Sequence, residues 1–366
     1  MSMDTGSWAG RRVLVTGHTG FKGGWLCLLL QRLGAQVTGL SLAPPSEPNL
    51  FEQARVNTGI THIIGDVRDA SLVLDVVNNY CPQVIFHLAA QPLVRYGYVE
   101  PVETFATNVL GTAHVLDAAR RQGEVRAIVS VTSDKCYENR EWVWPYREND
   151  PMGGHDPYSA SKGAAELVIA SYRDSFFPAV GLAKGGTGLA SVRAGNVIGG
   201  GDWATDRLVP DLIRAFLAGE TPMIRSPRSV RPWQHVLEAV FAYLDIAERL
   251  IKGDSHFAEA WNFGPGEDDT QSVAWIVEKL ANLWGVPGQW QQFDGEIPHE
   301  AHLLKLDCAK ARIMLGWQPT LRLAQALEWI VEWHQSTASG GDARRITLDQ
   351  IERFANLKNQ ATQGNV

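Results

Sequence analysis

Cysteine is scarce in this chain, and the four present, Cys27, Cys81, Cys136 and Cys308, form no Cys-x-x-Cys pair. That pattern excludes a zinc ribbon or disulfide framework and predicts reduced thiols in a cytoplasm, with Cys136 packed rather than reactive. No apolar run approaches the roughly 18 residues a membrane helix requires, and the polar opening residues show no secretory signal. Positive charge is not in excess either: 33 Lys+Arg stand against 40 Asp+Glu, a net charge of −7. A phosphate-backbone-binding surface is therefore not expected, and neither nucleic acid nor membrane is an expected partner. Internal repeats and low-complexity tracts are missing, no metal site is expected, and only Asn356 to Val366 reads as a frayed end. What is left, 366 residues at 45% hydrophobic and 20% charged, suits a globular protein large enough for two lobes.

The residues present carry a clear order. Arg12-Val13-Leu14-Val15-Thr16 reads as a buried strand that runs into Gly17-His18-Thr19-Gly20-Phe21-Lys22-Gly23. A helix from Gly24 to Leu33 follows, stopped by Gly34. Strand, glycine turn and helix are the setting in which a pyrophosphate meets free N–H groups at a helix N-terminus. Further strands are read at Gln36–Leu40, Thr61–Gly65, Val84–Leu88 and Arg126–Val131, with helical patterns at about 69 to 80, 101 to 121 and 157 to 175. Parallel strands with right-handed crossovers follow, which make the fold α/β, a doubly wound parallel sheet of Rossmann type. Gly17, Asp66, Ala89 and Ser133 would fall together at the carboxyl ends of its strands.

Tyr158-Ser159-Ala160-Ser161-Lys162 places a phenol and an ammonium one helical turn apart on one face. A phenol titrates near pH ~10, and a neighbouring cation favours the phenolate, so Tyr158 is the expected base for deprotonating an alcohol while hydride leaves its carbon.

The Gly-x-x-Gly-x-x-Gly spacing, taken with Tyr158 and Lys162, resembles the extended short-chain dehydrogenase/reductase family. Asp66-Val67, His87-Leu88-Ala89-Ala90-Gln91, Asn108, Ser133, Arg193-Ala194-Gly195-Asn196-Val197 and Arg231-Pro232-Trp233 match it in the same order. The resemblance implies an NAD-binding domain over 1–196, to which 234–264 returns, and a smaller nucleotide-sugar lobe from 197–233 and 265–366. It implies cofactor contacts from Gly17, Thr19, Gly20, Phe21, Lys22, Gly23, Ser41, Asp66, Val67, Ala89, Ala90, Gln91, Asn108, Tyr158 and Lys162. Asn196 and Arg231 are implied as phosphate contacts of a sugar nucleotide, and Arg95 and Arg207 are further substrate candidates. No acidic residue follows the third glycine by about 20 positions, so Ser41 is left as a ribose contact; with no arginine there for a 2′-phosphate, NAD is expected rather than NADP. Asp66 reads equally as an adenine contact or as the N-cap of the next helix. Trp203 reads as a base-stacking ring or as packing. Helices 101–121 and 157–175 are expected to pair with a second copy, through residues such as Leu110, Val115 and Leu167, giving a homodimer or dimer of dimers.

Ser133, Tyr158 and Lys162 complete the family's triad, and Asp134-Lys135 beside them exceeds what plain redox work needs. The resemblance narrows here to the nucleotide-sugar 4,6-dehydratase group, and the Asp-Lys version is similar to the branch acting on CDP-glucose. The chemistry this implies is C4 oxidation with Tyr158 as base, removal of the C5 proton by a neutral Lys135, protonation of the leaving C6 hydroxyl by Asp134, and hydride return to C6. It requires Asp134 to be shifted upward by burial. The alternative is a nucleotide-sugar 4-epimerase or NAD(P)-linked reductase, in which Asp134 and Lys135 would be idle. Deoxysugar synthesis for a bacterial surface polysaccharide, such as a lipopolysaccharide O antigen, is the implied pathway.

Overall fold

In the computed structural model, which describes residues 5–295 and 303–363, twelve strands are numbered along the chain. β1 (Arg12–Thr16), β2 (Gln36–Ser41), β3 (Thr61–Ile64), β4 (Val84–His87), β5 (Ala127–Val131) and β6 (Gly188–Ala194) join β10 (Ala260–Phe263) in one parallel sheet. β7 (Asn196–Ile198), β9 (Val230–His235) and β11 (Thr270–Ser272) form a second, three-stranded sheet, and β8 (Met223–Ile224) pairs with β12 (Gln291–Gln292). Every strand expected from the sequence is present within a residue or two, because β4, β5 and β6 are buried along their whole length and read as continuous apolar runs.

The order β10-β6-β5-β4-β1-β2-β3 reverses direction between β1 and β4. That switch opens a crevice at the carboxyl ends of the two strands. Helices cover both faces. One core packs Trp25, Leu28, Val129, Leu237 and Ile330 beneath the sheet, and a second packs Val73, Ile85, Leu116 and Ile169 on the other side. Val115 belongs to this second core and is fully buried, so it is not available to a partner; Leu110 and Leu167, 54% and 62% exposed, are. The expected helix at 101–121 is continuous but contains a π-type turn at Ala106–Leu110 between Pro101–Phe105 and Gly111–Gln122.

The C-terminal stretch departs from expectation. Ala343–Gln363 is helical past Asn356, where fraying was expected. Its Arg344 donates to the Ala54 and Arg55 carbonyls and to Gln31, and Arg32 pairs with Glu352, so this helix clasps the underside of the first βα unit. Residues 265–366 are therefore not a substrate lobe throughout.

A buried polar network joins the layers. Glu166, on the helix Pro157–Phe176, accepts from Arg193 Nε at 2.9 Å and Nη2 at 2.7 Å, from Ser191 at 2.8 Å, and from the Thr132 hydroxyl. Arg193 Nη1 also donates to the Tyr137 hydroxyl at 2.7 Å, which in turn donates to Asn262 on β10 at 2.7 Å. Both charges are only 3–4% exposed, so removing one leaves the other buried and uncompensated. Arg193→Met is expected to lower stability by about 3–5 kcal/mol in chemical denaturation. Glu124→Gln, which removes the exposed charge pair with Arg12 and leaves the Arg12 hydrogen bond to the Cys81 carbonyl, should cost under about 1 kcal/mol in the same assay.

Candidate functional site

Burial and backbone geometry shape the floor of the cleft first. Gly17 has φ +78°, and a Cβ there would lie 2.7 Å from the Ala89 nitrogen; one on Gly23 would lie 2.2 Å from the Gly17 carbonyl oxygen. Only glycine lets β1, the β4 loop and the helix Phe21–Arg32 approach so closely. Gly20 is the N-cap of that helix and supplies no side-chain acceptor, so the first-turn N–H groups face the cleft, as an anion such as a dinucleotide pyrophosphate requires. This turn fits NAD.

The cavity above it has a volume of about 660 Å³. Gly17, Thr19, Gly20, Phe21, Lys22, Gly23, Ser41, Asp66, Val67, Ala89 and Ala90 line it. So do Ser133, Asp134, Lys135, Tyr158 and Lys162, together with Arg95, Asn196, Arg207 and Arg231. Gln91 and Asn108 do not reach it. Asn108, seated in the π-type turn, accepts from the Gln91 N–H at 2.9 Å and donates to Gln91 O at 3.1 Å and Ser161 Oγ at 2.8 Å. The two residues brace the β4 loop against the helix that carries Tyr158.

Other placements also separate the sequence's alternatives. Asp69, not Asp66, caps the helix Ala70–Tyr80, accepting from Ser71 and Leu72; Asp66 pairs with Arg68 at the cavity edge. Ser41 hydrogen-bonds Thr19 at 2.8 Å, so its hydroxyl is shared with the glycine turn. Trp203 is packing: it donates to Gln53 at 2.9 Å and sets its ring edge against His334. Sequence reasoning missed Met223, Ile224, Arg225 and Phe293, all cavity-lining, because they come from short strands and loops without a recognisable motif. Cys136 is fully buried and its thiol is pushed well up by burial, as expected of a packed cysteine.

A short 3₁₀ turn, Asp134–Cys136, capped by the Ser133 hydroxyl, presents the extra acid and amine. Ser133 also donates to Asp134 Oδ1 at 3.1 Å and hydrogen-bonds the Tyr158 phenol. Asp134 is 4% exposed, and burial raises its pKa above the ordinary carboxylate value despite Lys135 nearby. Lys135 is half-buried.

Burial also sets the ionisation of the pair on the helix. Tyr158 is pushed up to about 12, with the Ser133 hydrogen bond pulling the other way. Lys162 is lowered to about 7, by burial first and by the Lys22 charge second; Lys22 itself is lowered to about 8 by burial and by Arg207. The expected lowering of Tyr158 by Lys162 is not seen: burial dominates, and the opposing pulls come from the Ser133 hydrogen bond and the Arg207 charge.

With this geometry in view, comparison places the chain. Residues 13–264 match the NAD dependent epimerase/dehydratase family, and the chain belongs to that family. It is 52% identical to a CDP-glucose 4,6-dehydratase of Salmonella typhimurium over 96% of this chain and 98% of that protein. A dTDP-glucose 4,6-dehydratase of Streptomyces antibioticus is 29% identical over 75% of this chain and 76% of its own length. The dTDP-glucose 4,6-dehydratase of Streptomyces venezuelae, solved with NAD bound, shares the fold with a TM-score of 0.76 at 23% identity, covering 90% of this chain and 99% of that one.

Because Lys162 binds its proton less readily folded than unfolded, the unfolded state holds more protons between about pH 7 and the ordinary lysine value near 10.5, and stability rises with pH across that window. Lys162→Met removes the penalty. The variant should be more stable than the parent at pH 7, by on the order of 1 kcal/mol or more, and this gain should shrink as urea denaturation is repeated towards pH 10.

Proposed function

We propose that the protein dehydrates CDP-glucose to CDP-4-keto-6-deoxyglucose, a hydro-lyase reaction with NAD as resident cofactor. One observation carries this reading: Asp134 and Lys135 face the same cavity as Ser133, Tyr158 and Lys162, and burial holds the Asp134 carboxyl in the pKa direction that suits a proton donor. An epimerase or reductase would leave that acid and amine without a task. The 52% identity to a protein named for this reaction supports the same choice of nucleobase.

The glycine turn of Gly17, Gly20 and Gly23 would hold NAD, which would supply hydride acceptance from C4 and hydride return to C6. Tyr158 is assigned the C4 hydroxyl proton, with Ser133 hydrogen-bonded to its oxygen; burial favours the neutral phenol, so base action draws on its phenolate form, which the Ser133 hydrogen bond and a protonated Lys162 one turn along the helix favour. A C4 ketone acidifies C5–H, and the Lys135 amine removes that proton. Asp134 protonates the departing C6 hydroxyl, so water leaves without a free hydroxide. Hydride addition at C6 of the resulting 5,6-alkene leaves an enolate, and C5 regains a proton that originates from solvent. Asn196, Arg207, Arg231 and Arg95 are assigned to the sugar nucleotide, and planar guanidinium forks suit its phosphate oxygens.

The finer biological setting is part of the proposal. Among the described residues no helix is long and apolar enough to cross a membrane, and none of the four cysteines is paired, which supports a cytoplasmic enzyme. The exposed Leu110 and Leu167, with Val102 at 80% and Phe105 at 39%, support a homodimer or dimer of dimers built on these helices. A 4-keto-6-deoxy sugar nucleotide is a precursor for deoxysugars of a surface polysaccharide such as an O antigen.

Incubation with CDP-, dTDP-, UDP- and GDP-glucose tests the reading directly. Only CDP-glucose should yield the 4-keto product, seen by its ultraviolet absorbance in base; turnover of another member instead would displace the nucleobase assignment. Asp134→Asn should lose about 10²- to 10⁴-fold in dehydration while bound NAD is still reduced by substrate. Lys135→Ala should lose solvent deuterium incorporation at C5 by a similar factor.

A further inference from the structure

Two arginines from opposite walls of the cavity meet on one carboxylate. Arg95, on the helix Val94–Val99 that follows β4, donates through Nη1 to Asp206 Oδ1 at 2.8 Å. Arg225, just past β8, donates to the Asp206 carbonyl oxygen at 3.0 Å and approaches the same Oδ1 at 3.5 Å. Asp206 lies in the loop between β7 and the helix Leu208–Ala218, and all three residues line the cavity. Next along that loop, Arg207 is held by Asp202 at 3.2 Å. Two guanidinium groups drawn to a single oxygen would repel each other without the anion between them. A diphosphate carries several anionic oxygens and matches the guanidinium fork better than one shared carboxylate oxygen does.

We infer that Asp206 is a stand-in for substrate phosphate: it gathers Arg95 and Arg225 and gives them up to the diphosphate of the incoming sugar nucleotide. This rests on the assignment of the cavity's arginines to the phosphates. Asp206 is a positioning residue and a competitor together. It keeps two cations oriented, and a ligand without phosphates leaves that arrangement undisturbed. Its side chain and that of Arg95 are 36% and 47% exposed, so the competition is that of a solvent-screened ion pair and is modest in size.

Asp206 has φ +59°, a left-handed conformation that asparagine tolerates well, so Asp206→Asn removes the charge without straining the loop. Calorimetric titration of parent and variant with CDP, dTDP, UDP and GDP, with cytidine as the phosphate-free control, reads the effect. The variant should bind the cognate diphosphate about two- to fivefold more tightly, the range an exposed ion pair supports. Cytidine should bind both proteins alike. The ratio should fall towards one as salt is raised to about 0.5 M, because screening weakens the carboxylate's hold. Arg225→Gln should weaken diphosphate binding in the same assay. Equal or weaker diphosphate binding by Asp206→Asn overturns the inference. A wrong nucleobase shows instead as binding of a different member of the panel, with the variant-to-parent ratio still read from that member, and failure of all four to bind the parent overturns both readings.

Discussion

The buried pair of Arg193 and Glu166 is the constraint on which the rest of the site depends. Glu166 lies four residues beyond Lys162 on the same helix, and Arg193 belongs to β6, which leads directly into Asn196. Their hydrogen bonds fix the helix carrying Tyr158 to β6, while Thr132 and Tyr137 tie in both sides of the turn that holds Asp134 and Lys135. The acid, the phenol and the amine therefore share one support. A charge pair is a costly way to stabilise a core, but it fixes one geometry rather than several, since neither ion tolerates a shifted partner. Here that geometry aligns the proton-handling groups.

Removal from water determines the proton inventory of the cleft. It raises Asp134 and Tyr158 and lowers Lys162 and Lys22, so each group is pushed towards its neutral form. A cleft of neutral groups is poised to accept charged ligands, because the charges they bring then act in a poorly screened setting. Arg95, Arg207 and Arg231 line the same cavity as these groups.

The middle of the sheet was legible because β1, β4 and β5 are buried nearly throughout and carry apolar runs such as Ala127–Val131, whereas β3 at the edge is largely exposed. The glycine turn and the Tyr158–Lys162 spacing were legible because each is a local pattern with a local cause. What stayed hidden depends on packing between distant segments. Val115 and Leu167 look alike in sequence, yet one faces the second core and the other faces solvent. Asn108 and Gln91 sit near the cleft in sequence order but turn to each other through a π-type turn that propensity does not foretell. Asp66 and Asp69 are both plausible caps, and only the backbone decides between them. Arg225 and Phe293 reach the cavity from a two-residue strand and from a loop that follows another.

The clasp of Ala343–Gln363 on the first βα unit has a consequence for biosynthesis. The helix Phe21–Arg32 emerges from the ribosome more than 300 residues before the segment that covers it, and β10, which closes one edge of the sheet, also comes late. A nascent chain therefore lacks the contacts of Ala343–Gln363 for most of translation, and the first βα unit gains this support only after the rest of the sheet has been synthesised.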